Sequence, residues 1–424
     1  MLHKNGPGHS EKPGKMRNNK WAAMLVLVLL PVFFPLAVCG EEDPDPVVRF
    51  FTGQVDPESV TGFIRELEGF GTRFALSPNR REVAEWIRQQ FVTMGYADAR
   101  LDSFQLTYTY RSVQYETWQY NVIAEHAGYM RPDSIHILGA HYDSIVVGDD
   151  YDPFTDAPGA DDNASGVAAV LETARLIKKH GYEPENTLHF IAFGAEELGL
   201  HGSRFHANKA AANNQGIVMM INNDMIGYTD QMEIMWTLDV QFYPGSDWLT
   251  NLAREVATTY TSLQVVESNS SIRFTDSWPF HAAGYDAVFL HEYRFNPFYH
   301  TPEDLLKHVN PDYLAEMVKV SVGMLISRNG SGDPSLVSVP GSPLTGNASA
   351  RIFSDGRSVQ VWFDREESGR QMQVFDTAGR LLISQPIESG KHHKYHLALD
   401  TGIYLVRVGG SGEMVTGKVF IQSP

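Results

Sequence analysis

The 424-residue chain contains a single cysteine, Cys39. No disulfide can form within it, and no pair of thiolates can hold a metal. A chain of this length buries enough apolar surface without covalent staples. Positive charge is also scarce: 34 Lys and Arg stand against 51 Asp and Glu, a net −17. Such a surface repels phosphate backbones and excludes nucleic acid as a sensible partner. Past the N-terminus no apolar run approaches bilayer-spanning length, and no internal repeat is present. Apolar residues, in contrast, make up 43% and charged residues 20%. These are globular proportions, which exclude a mostly disordered protein and predict two or three domains. With sixteen histidines and no cysteine pair, any metal centre must use imidazole and carboxylate.

The first 40 residues read as an export signal. Lys4, Lys12, Lys15, Arg17 and Lys20 form a basic leader, Trp21 to Val38 is apolar, and Ala37, Cys39 and Gly40 precede Glu41-Glu42-Asp43. That is the charged, apolar, small-residue order of a secretory signal. Two alternatives stay open: an uncleaved membrane anchor, and a lipoprotein carried on Cys39. The expected location is outside the cell or on its surface.

Residues 41–328 carry an alternation of elements. Asp56-Pro57 and Ser77-Pro78 are helix starts, and Val83, Trp86, Ile87, Phe91 and Met94 have helical spacing up to Gly95. Strand-like runs Leu101 to Tyr110 and Trp118 to Ala124 follow. Then short apolar strands (Ile135 to Ala140, Leu188 to Phe193, Gly216 to Asn222, Ala287 to Leu290) alternate with helices (Val167 to His180, Ser246 to Thr259, Asp312 to Ile326). This predicts an α/β fold, a largely parallel central sheet with helices on both faces. Residues 329–347 form a Gly-, Ser- and Pro-rich linker. Residues 348–424 switch to strands only (Val359 to Phe363, Met372 to Phe375, Leu381 to Ser384, Tyr395 to Leu399, Ile403 to Val408, Val415 to Ile421), a small antiparallel β-sandwich.

Five segments place metal-competent side chains just after a strand or turn: Ala140-His141-Tyr142-Asp143-Ser144, Gly159 to Gly166, Gly194-Ala195-Glu196-Glu197, Asn223-Asp224-Met225, and Tyr299 to Asp304. In a parallel sheet, ligands gather outside the carboxyl ends of the strands. Asp143, Asp162, Glu196, Glu197 and Asp224 meeting in one pocket would repel strongly, and only a cation offsets that. Taken singly, each segment also reads as a turn, a cap or solvated surface. Together they supply five ligand candidates: His141, Asp162, Glu197, Asp224 and His300. One zinc needs about three protein ligands. Five residues with one bridging carboxylate therefore serve two ions, about 3.5–4 Å apart as in other two-metal sites.

With these motifs in place, the sequence resembles the secreted dizinc aminopeptidase family, whose wider clan includes glutamate carboxypeptidases and glutaminyl cyclases. The resemblance runs from about Phe63 to Ile326. It is carried by HYDS, PGADDNASGVAAVLE, FGAEELGLHGS, NNDMIG, the stretch Thr275 to Gly284, and NPFYHTPEDL. It implies His141 and Asp224 on one zinc, Glu197 and His300 on the other, and Asp162, rather than its neighbour Asp161, as the bridge. It further implies a cis Asp162–Asn163 bond, Asp143 orienting His141, Glu196 as general base, and Tyr299 donating to a developing oxyanion. Asp276-Ser277 departs from the usual Asp-His, which puts a pocket role for that histidine in doubt. The tail from Ile352 to Ile421 resembles the C-terminal sorting domain of type IX secretion cargo in Bacteroidetes, so the secretion machinery is an expected partner. The alternative for the tail is a generic β-sandwich appendage.

The expected activity is removal of N-terminal residues from peptides by a metal-bridging hydroxide, with Glu196 taking the proton. Other readings remain: a carboxypeptidase using Arg273 or Arg294 for a terminal carboxylate, a glutaminyl cyclase keeping one zinc, or a non-catalytic binding protein on the same fold.

Overall fold

The computed structural model describes residues 45–269, 273–328, 350–354, 358–367, 369–376, 379–409 and 414–421. The signal segment with Cys39, and the linker 329–347, lie outside the described residues.

The chain opens with α1 (Pro46–Thr52), α2 (Pro57–Glu68) and α3 (Arg80–Thr93). The Asp45 and Asp56 carboxylates cap α1 and α2, each followed by proline at the first helical position. The third helix begins at Arg80 rather than at Ser77-Pro78, because the Ser77 hydroxyl is spent on the Phe74 carbonyl at 2.7 Å. Val47, Val48 and Phe51 are buried, so α1 belongs to the core.

Then follow β1 (Arg100–Tyr110), β2 (Val113–His126), β3 (Arg131–His141), α4 (Gly166–Lys179), β4 (Asn186–Phe193), α5 (His201–Ala212), β5 (Gly216–Asn223), β6 (Thr237–Phe242), α6 (Asp247–Tyr260), β7 (Gln264–Asn269), α7 (Ser277–Ala282), β8 (Ala287–Glu292) and α8 (Pro311–Ser327). The eight strands form one sheet in the order β1-β2-β4-β3-β5-β8-β6-β7. The sheet is mixed rather than largely parallel: β4, β3, β5 and β8 run parallel at the centre, while β1, β2 and β6 enter through antiparallel pairings. The β1–β2 pairing has a local cause. Arg111 and Ser112, at φ 45° and 66°, close a two-residue hairpin, too short for the crossover that a parallel pair requires.

Strand alternation explains why helices cover both faces. Leu138, Ala140, Leu188, Phe190, Ala192, Met219 and Ile221 feed one core, under α1 to α4, α6 and α8. Their neighbours Ile137, Ile191, Phe193, Ile217 and Met220 feed a second, with Ala207 and Ala210 of α5 and Phe280 of α7. Successive side chains point to opposite faces, so a doubly covered strand reads as a continuous apolar run.

The C-terminal region holds β9 (Ala350–Ser354), β10 (Val359–Glu367), β11 (Arg370–Phe375), β12 (Leu381–Ile387), β13 (Gly390–Tyr395), β14 (Gly402–Gly409) and β15 (Met414–Ile421). All described pairings are antiparallel, in sheets β13-β10-β9 and β12-β11-β14-β15. Both sheets contribute to one apolar core of Val359, Val361, Met372, Val374, Val406, Val408 and Val419. The fifth strand lies at 390–395, earlier than the expected Tyr395 to Leu399, and β9 was not foreseen.

Candidate active site

The central parallel strands deliver the site. β3 ends on His141, β5 ends one residue before Asp224, and β4 ends three residues before Glu196. Asp162 comes from the loop entering α4, and His300 from the segment after β8. Gly166 lets α4 start close against β5: a Cβ there would lie 2.4 Å from both the Asn223 carbonyl and the Asn163 side chain. The Asp162–Asn163 peptide is cis.

These side chains converge. His141 Nε2 lies 3.3 Å from Asp162 Oδ1 and 3.3 Å from Asp224 Oδ1. His300 Nε2 lies 3.1 Å from Asp162 Oδ2 and 3.1 Å from Glu197 Oε2. Asp162 thus turns one oxygen to each group, and the two donor sets, His141-Asp162-Asp224 and Asp162-Glu197-His300, share it. Glu196 Oε2 stands 4.0 Å from His141 Nε2.

The donor sets fit a metal. Bonds of about 2.0–2.1 Å at tetrahedral angles put neighbouring donor atoms roughly 3.3 Å apart, close to the edges seen here. Glu197 Oε1 is buried with no hydrogen bond among the described residues. Groups so desolvated without partners are costly unless something binds them.

The electrostatics point the same way. Burial lifts Glu196 well above the usual carboxylate range, offset by His141 and reinforced by Glu197. Burial and then Asp162 push Glu197 up to about 7. Burial works against a charged His300, but hydrogen bonds to Asp162 and Glu197 outweigh it and carry it to about 10. Burial likewise opposes a charged His141, yet Asp224, Glu196 and Asp162 raise it. Without a cation the cluster holds protons that a divalent ion would displace.

The supporting groups are further apart in sequence. The Asp143 carboxylate accepts from the backbone N–H groups of Glu196 and Glu197 at 2.9 and 3.2 Å. His141 Nδ1 faces the main-chain oxygen of Asp143 at 3.0 Å, with the carboxylate at 3.8 Å. The orienting atom is therefore the carbonyl, because the carboxylate is committed to the Glu196-Glu197 turn. The Asp304 carboxylate accepts from Asp161 N and Asp162 N, each at 3.0 Å. Asp161 is drawn away from the cluster to Gly227 N at 2.8 Å and Asn296 Nδ2 at 2.9 Å. Glu292 accepts from Tyr228 N and Asn296 N. No role was assigned from sequence to Asp304, Glu292 or Asn296. Asp304 and Asn296 sit inside the motif NPFYHTPEDL, but their partners Asp161 and Asp162 lie about 140 residues away and leave no local signal.

Tyr299 stacks on His300 with ring centroids 3.7 Å apart. Burial and nearby carboxylates raise its hydroxyl, which keeps the proton. Asp276 is buried beside the cluster, and burial pushes it up to about 7. The Ser277 hydroxyl bonds Tyr243 at 2.9 Å. Arg294 is paired with Asp230 at 2.9 Å, and Arg273 lies over the Trp278 ring at 4.9 Å.

Residues 121–325 match the model of peptidase family M28. The chain is 28% identical over 301 residues to a "Probable aminopeptidase" of Saccharomyces cerevisiae, covering 69% of this chain and 77% of that one. Among solved structures, the aminopeptidase from Aneurinibacillus sp. strain AM-1 superposes with TM-score 0.56 at 19% identity, covering 71% of this chain and 98% of that one. The zinc aminopeptidase BSAP from Bacillus subtilis gives TM-score 0.54 at 19% identity, covering 65% and 96%.

Proposed function

We propose that this hydrolase, matched to the M28 peptidases over residues 121–325, is a dizinc aminopeptidase that removes N-terminal residues from peptides. The observation that carries the reading is the pair of donor sets sharing Asp162, with Glu196 beside them. His141, Asp162 and Asp224 would hold one ion, and Asp162, Glu197 and His300 the other. Bound zinc supplies Lewis acidity and brings the pKa of a water toward neutrality.

The protein's own groups do the rest. Glu196 is buried and proton-hungry, so it accepts the proton of the attacking water and returns it to the leaving amine. Its backbone N–H is held by the Asp143 carboxylate, which fixes the turn from which its side chain projects. Tyr299 keeps its hydroxyl proton and donates a hydrogen bond to the oxyanion. The negative pocket suits a substrate's α-ammonium group. Of the two arginines that could meet a terminal carboxylate, Arg294 is paired with Asp230 and Arg273 lies over the Trp278 face, so neither points as a bare cation to such a group. This favours the amino end over the carboxyl end.

A panel of aminoacyl arylamides and peptides, with free and blocked N-termini, tests the reading. Chelator-sensitive hydrolysis of the free forms alone supports it; equal cleavage of blocked peptides overturns it. Export through residues 1–40, and recognition of residues 348–424 by a secretion machine, complete the proposal on sequence grounds. Truncation of the C-terminal region should then keep the enzyme from the cell surface and the medium while its export signal still operates.

A further inference from the structure

Arg73, between α2 and α3, is fully buried and lies outside every motif discussed above. Among the described residues its side chain donates to main-chain carbonyls. Nε reaches Tyr142 O at 2.7 Å, Nη1 reaches Pro158 O at 2.5 Å and Leu67 O at 3.3 Å, and Nη2 reaches Gly159 O at 2.7 Å. Tyr142 stands between His141 and Asp143. Pro158 and Gly159 open the loop that leads to Asp162. One rigid fork therefore ties the strand end carrying His141 to the loop carrying Asp162, and both to the end of α2.

The surroundings are shaped for this contact. Gly159 has φ +53°, and a Cβ there would come within 2.9 Å of Arg73 Nη2 and 2.3 Å of the Asp162 carbonyl. The backbone N–H of Arg73 donates to Ser144 Oγ at 3.1 Å, and that hydroxyl donates to Ala157 O at 2.6 Å. This adds a second tie between the same two segments.

We propose that Arg73 is a positioning residue for the metal centre, whose guanidinium fork fixes the separation of His141 and Asp162 and thereby sets divalent-metal affinity. The inference rests on the reading that the two donor sets bind metal. A buried cation is costly; burial brings Arg73 down to about 10, while Asp304, Asp162, Asp143 and Glu197 act against that fall. Arg73 remains charged at neutral pH. Its removal has two opposing effects: loss of a nearby positive charge strengthens cation binding, and loss of the fork loosens the donor spacing. Lysine separates them, because it keeps the charge but offers three donors from one point and cannot span the same carbonyls.

Full-length metal-free protein is titrated with Co²⁺, followed by visible absorption and with circular dichroism as the fold control. For Arg73→Lys the expected result is a cobalt affinity lower by about 10- to 100-fold, the range seen when groups supporting metal ligands are lost. Its ligand-field band should change in intensity while the dichroism stays native. Ser144→Ala, a gentler cut in the same tie, should weaken cobalt roughly several-fold. Native cobalt affinity and spectrum in folded Arg73→Lys overturn the proposal. Should that variant not fold, native affinity in Ser144→Ala overturns it. Absence of cobalt uptake by the unaltered protein is a separate outcome, which removes the metal reading itself and this inference with it.

Discussion

The carboxyl ends of the central strands and the interior of the C-terminal β region bury opposite kinds of side chain. At the strand ends His141, Asp143, Asp161, Asp162, Asp224, Asp276 and Asp304 are all buried. In the C-terminal core the buried cluster is apolar and includes Val361, Met372, Val374, Val406, Val408 and Ile421. The second arrangement stabilises a fold, since each buried aliphatic side chain contributes roughly 1.5–3 kcal/mol by leaving water. The first does not, because like charges gathered in a desolvated pocket raise one another's energy. A chain that concentrates acids in this way does so for chemistry, and the two regions should respond differently to substitution.

The sharpest separation is expected at Glu196. Glu196→Gln should lower kcat on an aminoacyl arylamide by about 10³-fold, within the range for a lost general base, while the metal content and thermal midpoint stay native. Loss of metal in that variant would move Glu196 from proton acceptor to ligand. In the other region, Met372→Ala should cost about 2–5 kcal/mol in the stability of the C-terminal unit, as a buried Met truncated in a closed core does. Arylamide hydrolysis should be unchanged. A matching fall in kcat/KM would show that the two regions are coupled.

How much of this could be read from the sequence follows from the same contrast. β4 is buried along its whole length, and β3 along its last seven residues. Such strands are mostly apolar over their buried length, and a metal-competent side chain at or shortly after the end of one is conspicuous: hence His141, Glu196, Glu197 and Asp224. β6 and β7 escaped because Thr237–Phe242 and Gln264–Asn269 interleave polar residues and join near the sheet edge. α5 was missed because Gly202 and its scattered polar residues blur the apolar stripe. The hairpin Arg111-Ser112 carries no glycine, so the antiparallel entry of β1 and β2 had no turn signal. Arg73 reaches Tyr142, Pro158 and Gly159, and Glu292 reaches Tyr228, all dozens of residues away, and spacing cannot reveal such contacts.

The smallest predicted effect concerns buried histidines outside the site. Burial lowers His126, His136 and His206 to about 4 each, against an ordinary 6.5. The folded-state value is the depressed one, so the unfolded chain binds more protons between pH 6.5 and 4, and stability falls as pH drops through that window. Each such group contributes at most about 1.4 kcal/mol per pH unit. Denaturant titrations of metal-free His206→Gln should show a slope against pH shallower by about 1 kcal/mol per unit. An unaltered slope would mean that His206 is protonated in the fold.

Everything specific to the site depends on Asp162 serving two ions at once. Elemental analysis and calorimetric zinc titration of the metal-free protein, alongside Asp162→Ala, test this most directly. The account predicts two zinc ions per chain in the unaltered protein and loss of tight binding at both positions in the variant. A single ion in the unaltered protein, or two retained by Asp162→Ala, would contradict it.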